Sequence, residues 1–227
     1  MSFTLEKIVP WGRSYEEYVA MFALTQAELG LPILGCGDGP ASFNAELNKQ
    51  GGNVISIDPI YHFEANQIKS RIEETYDTVL DQTRKNQNEF NWETIKSVEH
   101  LGRVRMSAME IFLADYDAGK QEGRYIAGEL PSLPFERGQF NMALSSHFLF
   151  LYSDHLSAEF HLQALQEMLR VAHEVRVFPL LTLASLPSPH FSFIEDQFTR
   201  DGYHIETERV PYEFQKGGNE MLVIKRA

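Results

Sequence analysis

Cysteine is all but missing from this chain: of 227 residues, only Cys36 carries a thiol. A single thiol rules out an internal disulfide and matches the usage of a reducing compartment. Long apolar runs are missing too. No stretch approaches the ~20 apolar residues that a membrane-crossing helix needs. The opening residues, "MSFTLEKIVPWG", lack the basic start and apolar block of a secretory leader. A cytoplasmic protein with no membrane partner is expected. Positive charge is scarce: 20 Lys and Arg face 32 Asp and Glu, a formal net charge of −12. The cations are scattered, and a chain this acidic repels a phosphate backbone, so nucleic acid is not an expected partner. A small molecule fits the charge first and a protein side chain second. Repeats, low-complexity tracts and linkers are absent as well, so residues 1–227 read as one domain.

What is present is a rhythm of strands and helices. Residues 14–29, "SYEEYVAMFALTQAEL", read as helical, with Tyr15, Tyr18, Val19 and Phe22 along one side. Ser14 with Glu17, and Thr25 with Glu28, have capping-box spacing. Residues 31–34 form a short apolar strand. Pro40 suits the first turn of a helix over 41–50, and Gly51 with Gly52 stops it. "NVISIDP" is a second buried strand. Strand, glycine turn, helix and strand thus fit within residues 31–58, a βαβ unit whose right-handed crossover makes the strands parallel.

Residues 61–120 break that rhythm. Ile68, Ile72, Tyr76, Val79 and Leu80 fall at helical spacing, as do Leu101, Val104, Ala108, Ile111 and Phe112. Two or three amphipathic helices are expected there, closed by a polar loop, "DAGKQEG". Strands over 124–128, 139–146 and 174–183 follow, with helices at 154–172 and ending at Gly202. A hairpin built from "YHIETERVPYEF" and "EMLVIKR" finishes the chain. The alternation predicts an α/β three-layer sandwich with a helical insertion after the second strand.

The stretch "LPILGCGDGPASFNAEL" carries the chemistry. A Walker phosphate loop needs Gly, four residues and then Gly-Lys-Ser/Thr, which does not occur. A dinucleotide turn needs glycines at offsets zero, two and five. From Gly35, offset two is Gly37, but offset five is Pro40, and Gly39 stands at four. The spacing argues against NAD and FAD. Without side chains at Gly35, Gly37 and Gly39, a ligand can lie against backbone. Asp58 ends the next strand, where a carboxylate beside the turn can accept both hydroxyls of a ribose.

These blocks resemble the class I (Rossmann-like) S-adenosylmethionine-dependent methyltransferases over most of the chain. "ILGCGDG" is similar to the family's glycine motif and "VISIDP" to its ribose-binding motif. "YIAGELPSLPFERGQFNMALSSHFLFLY" resembles the third and fourth strands, and "ALQEMLRVAHEVRVFPL" the following helix and fifth strand. The resemblance implies a mostly parallel seven-stranded sheet in the order 3-2-1-4-5-7-6, with S-adenosylmethionine as cofactor and no metal. It places Gly35, Cys36, Gly37 and Gly39 along the methionine and ribose, and Asp58 on the ribose hydroxyls. It sets Pro59, Ile60, Glu129 and Leu130 by the adenine, and Ser145 and Ser146 facing the sulfonium. Two positions depart from the pattern: Ile33 and Asn141 stand where the family usually has acids.

Methyl transfer from a sulfonium needs alignment and dryness more than acid–base help. Where a hydroxyl must lose its proton, His147 is the best-placed base. The competing reading for His147 is a helix-start histidine bonded to backbone. Asp154 and His155 read as helix caps, while His62, Tyr61 and His190 are weaker candidates to face the pocket. Arg13 can meet the methionine carboxylate and Tyr15 can close the pocket, against a surface arginine and a core tyrosine. The insertion is expected to be a lid, or else a structural or dimer-forming cap. The expected function is methyl transfer to a small molecule. The alternatives are a non-catalytic binding protein acting as a sensor, which Ile33 and Asn141 suggest, and a nicotinamide oxidoreductase.

Overall fold

The computed structural model describes residues 9–226; the leader reading of residues 1–8 lies outside them. Seven strands form one sheet: β1 (Pro32–Cys36), β2 (Asn53–Asp58), β3 (Tyr125–Ala127), β4 (Phe140–Ser146), β5 (Ala172–Phe178), β6 (Tyr203–Arg209) and β7 (Glu220–Arg226). Their order is β3-β2-β1-β4-β5-β7-β6, with only β7 antiparallel to its neighbours. This is the expected topology. The order reverses between β1 and β4, and in open α/β sheets ligands bind outside the strand ends at such a point.

Alternation along the strands assigns the two faces. Leu34, Ala143, Val175 and Val177 pack with Leu165, Met168 and Leu169 of α6 (Ala158–Val171) and with Ile194 and Phe198 of α7 (Phe191–Arg200). Ile33, Met142 and Leu144, one residue out of step, pack on the other face. Their partners are Tyr18 and Met21 of α1 (Tyr15–Met21) and Phe43 and Leu47 of α3 (Phe43–Lys49). Buried on both faces, the central strands are the short apolar runs seen in the sequence.

Several boundaries differ from expectation for identifiable reasons. The N-terminal helix is two: α1 ends at Met21 and α2 (Gln26–Leu29) restarts after Ala23, whose φ is 47°. Both capping boxes form, so the second one marks a new helix. Arg176 of β5 holds the break, donating to the Phe22 carbonyl (2.6 Å) and pairing with Glu28 and Glu174. Pro40 lies in the turn before α3, whose N-cap is Ser42. Ser157 caps α6, and Asp154 and His155 lie exposed in the preceding turn. "DAGKQEG" is mostly helical, because α5 (Val98–Gln121) runs through it to Gln121.

The insertion is two long helices, α4 (Ala65–Lys85) and α5, joined by a 3-10 turn (Gln87–Glu89). The C-terminal half of α5 is bound into the sheet edge. Phe112 and Tyr116 stack with Tyr61 and Tyr125 at ring separations of 5.1–6.0 Å. Arg124 grips Asp115 with two hydrogen bonds of 2.7 and 3.0 Å. Phe112→Ala should therefore cost the whole fold about 3–5 kcal/mol, seen as one cooperative urea transition shifted to lower denaturant. A separate early transition for α4 and α5 would refute that integration.

Candidate functional site

A cavity of about 850 Å³ opens at the β1–β4 switch point, within the size range of small-molecule sites. Its floor is the glycine turn after β1. Gly37 and Gly39 adopt φ of 70° and 54°, where a side chain is strained. Gly35 serves a different purpose. A Cβ there would sit 1.8 Å from the Asp38 carboxylate, so its bare backbone makes room for that side chain rather than for a ligand.

Asp38 is the residue that the sequence reading passed over. Tyr18 of α1 donates to its Oδ1 (2.9 Å) and Ser56 of β2 to its Oδ2 (2.6 Å). Burial raises its pKa to about 6, against the two hydrogen bonds that favour the charge, and the Asp58 carboxylate adds to the rise. The available signal was a carboxylate inside an otherwise apolar turn. Asp58 is held by backbone: Gly39 N donates to Oδ2 (2.8 Å) and Ile60 N to Oδ1 (2.9 Å). Burial likewise raises it to about 6. Each Asp58 oxygen keeps acceptor capacity for a further donor.

Gly37, Gly39, Asp58, Pro59, Ile60, Glu129, Leu130, Ser146, His147 and Arg13 all line the cavity. Gly35, Cys36 and Ser145 do not. Cys36 and Ser145 are fully buried behind the wall, and burial pushes the Cys36 thiol pKa well up. Tyr15 is turned away, stacked on Phe43 with its hydroxyl toward Gln50, and Tyr18 takes the place at the cavity wall. Tyr61 is buried and donates to the Gly39 carbonyl (2.7 Å), supporting the turn from outside. His62 is exposed, and His190 is bonded to the Ser153 and Leu156 carbonyls. Ile33 lies in the core, and Asn141 is exposed at the start of β4, so neither departure from the family pattern touches the cavity.

His147 is not at a helix start. It follows β4 with φ 51°, its backbone N–H donates to the Phe178 carbonyl (2.6 Å), and its Nδ1 lies 2.9 Å from Ser146 Oγ. Burial first, then the charges of Arg13 and Arg105, push its pKa well below 6.5, so the imidazole is neutral at pH 7. Arg13 sits on the strap before α1, whose backbone packs on the turn: Ser42 N donates to the Arg13 carbonyl (3.0 Å). Its guanidinium donates to the Trp11 carbonyl (2.6 Å) and leaves Nε buried without a partner. Burial and the neighbouring Arg105 lower the Arg13 pKa to about 10.

Arg105 was also missed, although a cation on the apolar stripe of α5, between Leu101 and Ala108, was a usable signal. It is fully buried, pairs with Glu17 of α1, meets Tyr212 Oη (3.4 Å) and has an orphaned Nε.

No protein-family model matches the chain. Among solved structures, mitomycin 7-O-methyltransferase MmcR aligns with a TM-score of 0.50 at 10% identity, covering 94% of this chain and 54% of that one. The magnesium protoporphyrin IX methyltransferase ChlM of Synechocystis PCC 6803 aligns at a TM-score of 0.48 and 14% identity, over 94% of this chain and 78% of that one. Strand order, switch-point cavity and glycine turn define the class: this is the fold of the class I S-adenosylmethionine-dependent methyltransferases. Within it, the chain belongs to the same family as the uncharacterized protein MJ0045 of Methanocaldococcus jannaschii, 34% identical over 223 residues and 98% of each chain.

The two buried carboxylates give a direct test of the geometry. Both should titrate near pH 6 by carboxyl-carbon NMR. Asp58→Asn should lower the Asp38 midpoint by removing a like charge, and Ser56→Ala should raise it by removing a bond to the charged form. Because the folded pKa values exceed the unfolded one, the stability they contribute is full below about pH 4 and lost as pH rises through about 6. Midpoints near 4 would refute the burial argument.

Proposed function

We propose that the protein binds S-adenosylmethionine in this cavity and transfers its methyl group to a small-molecule acceptor. The observation that carries the reading is the set of charges around one glycine turn. Asp58 matches a ribose diol. Asp38 and Arg13, one anion and one cation lining the same cavity, match the ammonium and carboxylate of an amino-acid tail. A dinucleotide would instead bring a pyrophosphate toward Asp38. Asp38 also supplies a carboxylate near the turn that position 33 lacks.

The cofactor would supply an activated methyl group on a sulfonium. The chain's own residues do the rest. Asp58 would fix the ribose, while Pro59, Ile60, Glu129 and Leu130 flank the adenine. Arg13 would hold the carboxylate, and the apolar walls keep water from the reacting centre. His147, neutral and bonded to Ser146, can take a proton from an acceptor hydroxyl. Helices α4 and α5 contribute Ile68, Val79, Leu101 and Arg105 to the wall, which supports the lid reading of the insertion over a remote dimer cap. A cytoplasmic location remains the reading from cysteine usage.

Calorimetry with S-adenosylmethionine and S-adenosylhomocysteine tests this reading. Loss of two charge-assisted hydrogen bonds in Asp58→Ala should cost about 3 kcal/mol, roughly a hundredfold in Kd. Wild-type affinity should fall as pH drops below about 6, where Asp58 and Asp38 take up their protons, and the variant should show a weaker pH dependence, carried by Asp38 alone. Binding without turnover across an acceptor panel would assign a sensor. Absence of binding by either compound would refute both readings, and NAD binding in their place would assign an oxidoreductase.

A further inference from the structure

Away from the glycine turn, most of the cavity's wall is apolar, with Gln67, Ser70, Thr83 and Gln215 among the exceptions. Trp11, Phe90, Leu101, Leu151, Phe160 and Phe214 are among its side chains, contributed by the strap, the insertion, and the segments after β4 and β6. Arg71 and Glu74 also reach this wall, but they are half exposed and paired with each other at 3.2 Å. Arg105, a fully buried charged group, also lines the cavity. Glu17 and Tyr212 engage its terminal nitrogens, and its Nε–H has no partner. An unpaired donor on a buried cation is costly unless a ligand completes it.

Arg105 lies on the same wall as His147, and its charge is felt there, as is that of Arg13. The other groups around this point are Glu17, which is consumed by Arg105 and Tyr212, and the uncharged phenols of Tyr18, Tyr152 and Tyr212. A field that disfavours an imidazolium also disfavours an ammonium. It favours a negative oxygen.

We propose that the acceptor is a largely apolar molecule whose nucleophile is an acidic oxygen bound as the anion, and that Arg105 is the residue that selects it. This rests on the methyl-transfer reading above. The oxygen lone pair forms the new C–O bond to the methyl carbon. The C–S bond breaks with its electron pair passing to sulfur, which leaves a neutral thioether. A carboxylate arrives already ionised. A phenol loses its proton to solvent on binding and is held as the phenolate. The product ether or ester no longer carries the charge that Arg105 held, so it binds more weakly than the acceptor and leaves.

The test uses three probes of one shape on the S-adenosylhomocysteine-saturated protein: 2-naphthoate, 2-naphthamide and 2-naphthylmethylamine, with affinities read by calorimetry. Naphthoate should bind at least about tenfold tighter than the amide, and the ammonium more weakly than either. The paired variant Glu17→Gln/Arg105→Gln removes both members of the buried ion pair, and the carboxylate of the bound S-adenosylhomocysteine faces Arg13. The variant should bring naphthoate down to the affinity of the amide while the Kd of S-adenosylhomocysteine changes less than about threefold. Equal binding of acid and amide to wild type, or a preference that survives in the variant, overturns the proposal. If the variant does not fold, the wild-type comparison decides alone. 2-Naphthol, followed by its fluorescence, separates the two sources. A lowered phenol pKa in the complex assigns a phenol, and an unshifted one with tight naphthoate binding assigns a carboxylate. If S-adenosylhomocysteine does not bind, the cofactor reading fails by itself, and the acid-against-amide comparison is still read on the ligand-free protein.

Discussion

The buried carboxylate of Asp38 is the constraint on which the site depends. It folds into the space left by Gly35 and is held by Tyr18 from α1 and Ser56 from β2. One acceptor group thus ties an N-terminal helix, the turn after β1 and the neighbouring strand to one another. With that tie in place, Gly39 presents its N–H to Asp58, and Tyr61 grips the Gly39 carbonyl from the other side. The turn is therefore held at both its N–H and its carbonyl by the protein's own groups. The arrangement has a cost, since two carboxylates are kept from water and their charged forms are disfavoured until about pH 6.

A second buried network adjoins the same cavity. Arg105, Glu17 and Tyr212 come from α5, α1 and the segment after β6, and their contacts join the insertion to the body of the protein beside the cavity. Breaking a buried pair costs far more than forming it contributes, so this network fixes the position of α5 more than it adds to stability. The same arginine lends the cavity its electrostatic character beside His147. Position and chemistry are coupled in one side chain.

Much of the fold was legible because it follows local rules. Period-2 and period-3.6 patterns located the strands and helices, and the Thr25–Glu28 capping box was correctly paired. It was read as part of one helix because Ala23 at positive φ and the Arg176 bond to Phe22 leave no local trace. The turn glycines were read as a group, yet they differ. Gly37 and Gly39 take the positive φ that other residues avoid, beside the cavity, whereas Gly35 accommodates Asp38. Cys36 and Ser145, adjacent in sequence to cavity residues, point into the core because successive strand residues face opposite sides.

By itself, then, the sequence determined the alternation of elements, the parallel βαβ start, the place of the glycine turn and the carboxylate that ends β2. Each is set by residues within a few positions of one another or by one crossover of known hand. Only the tertiary structure decided which side chains meet at the cavity. Glu17 and Arg105 are 88 positions apart, and Glu17 and Tyr212 are 195 apart. No periodicity encodes such a convergence, because it arises from how the insertion and the final hairpin pack back over the sheet edge.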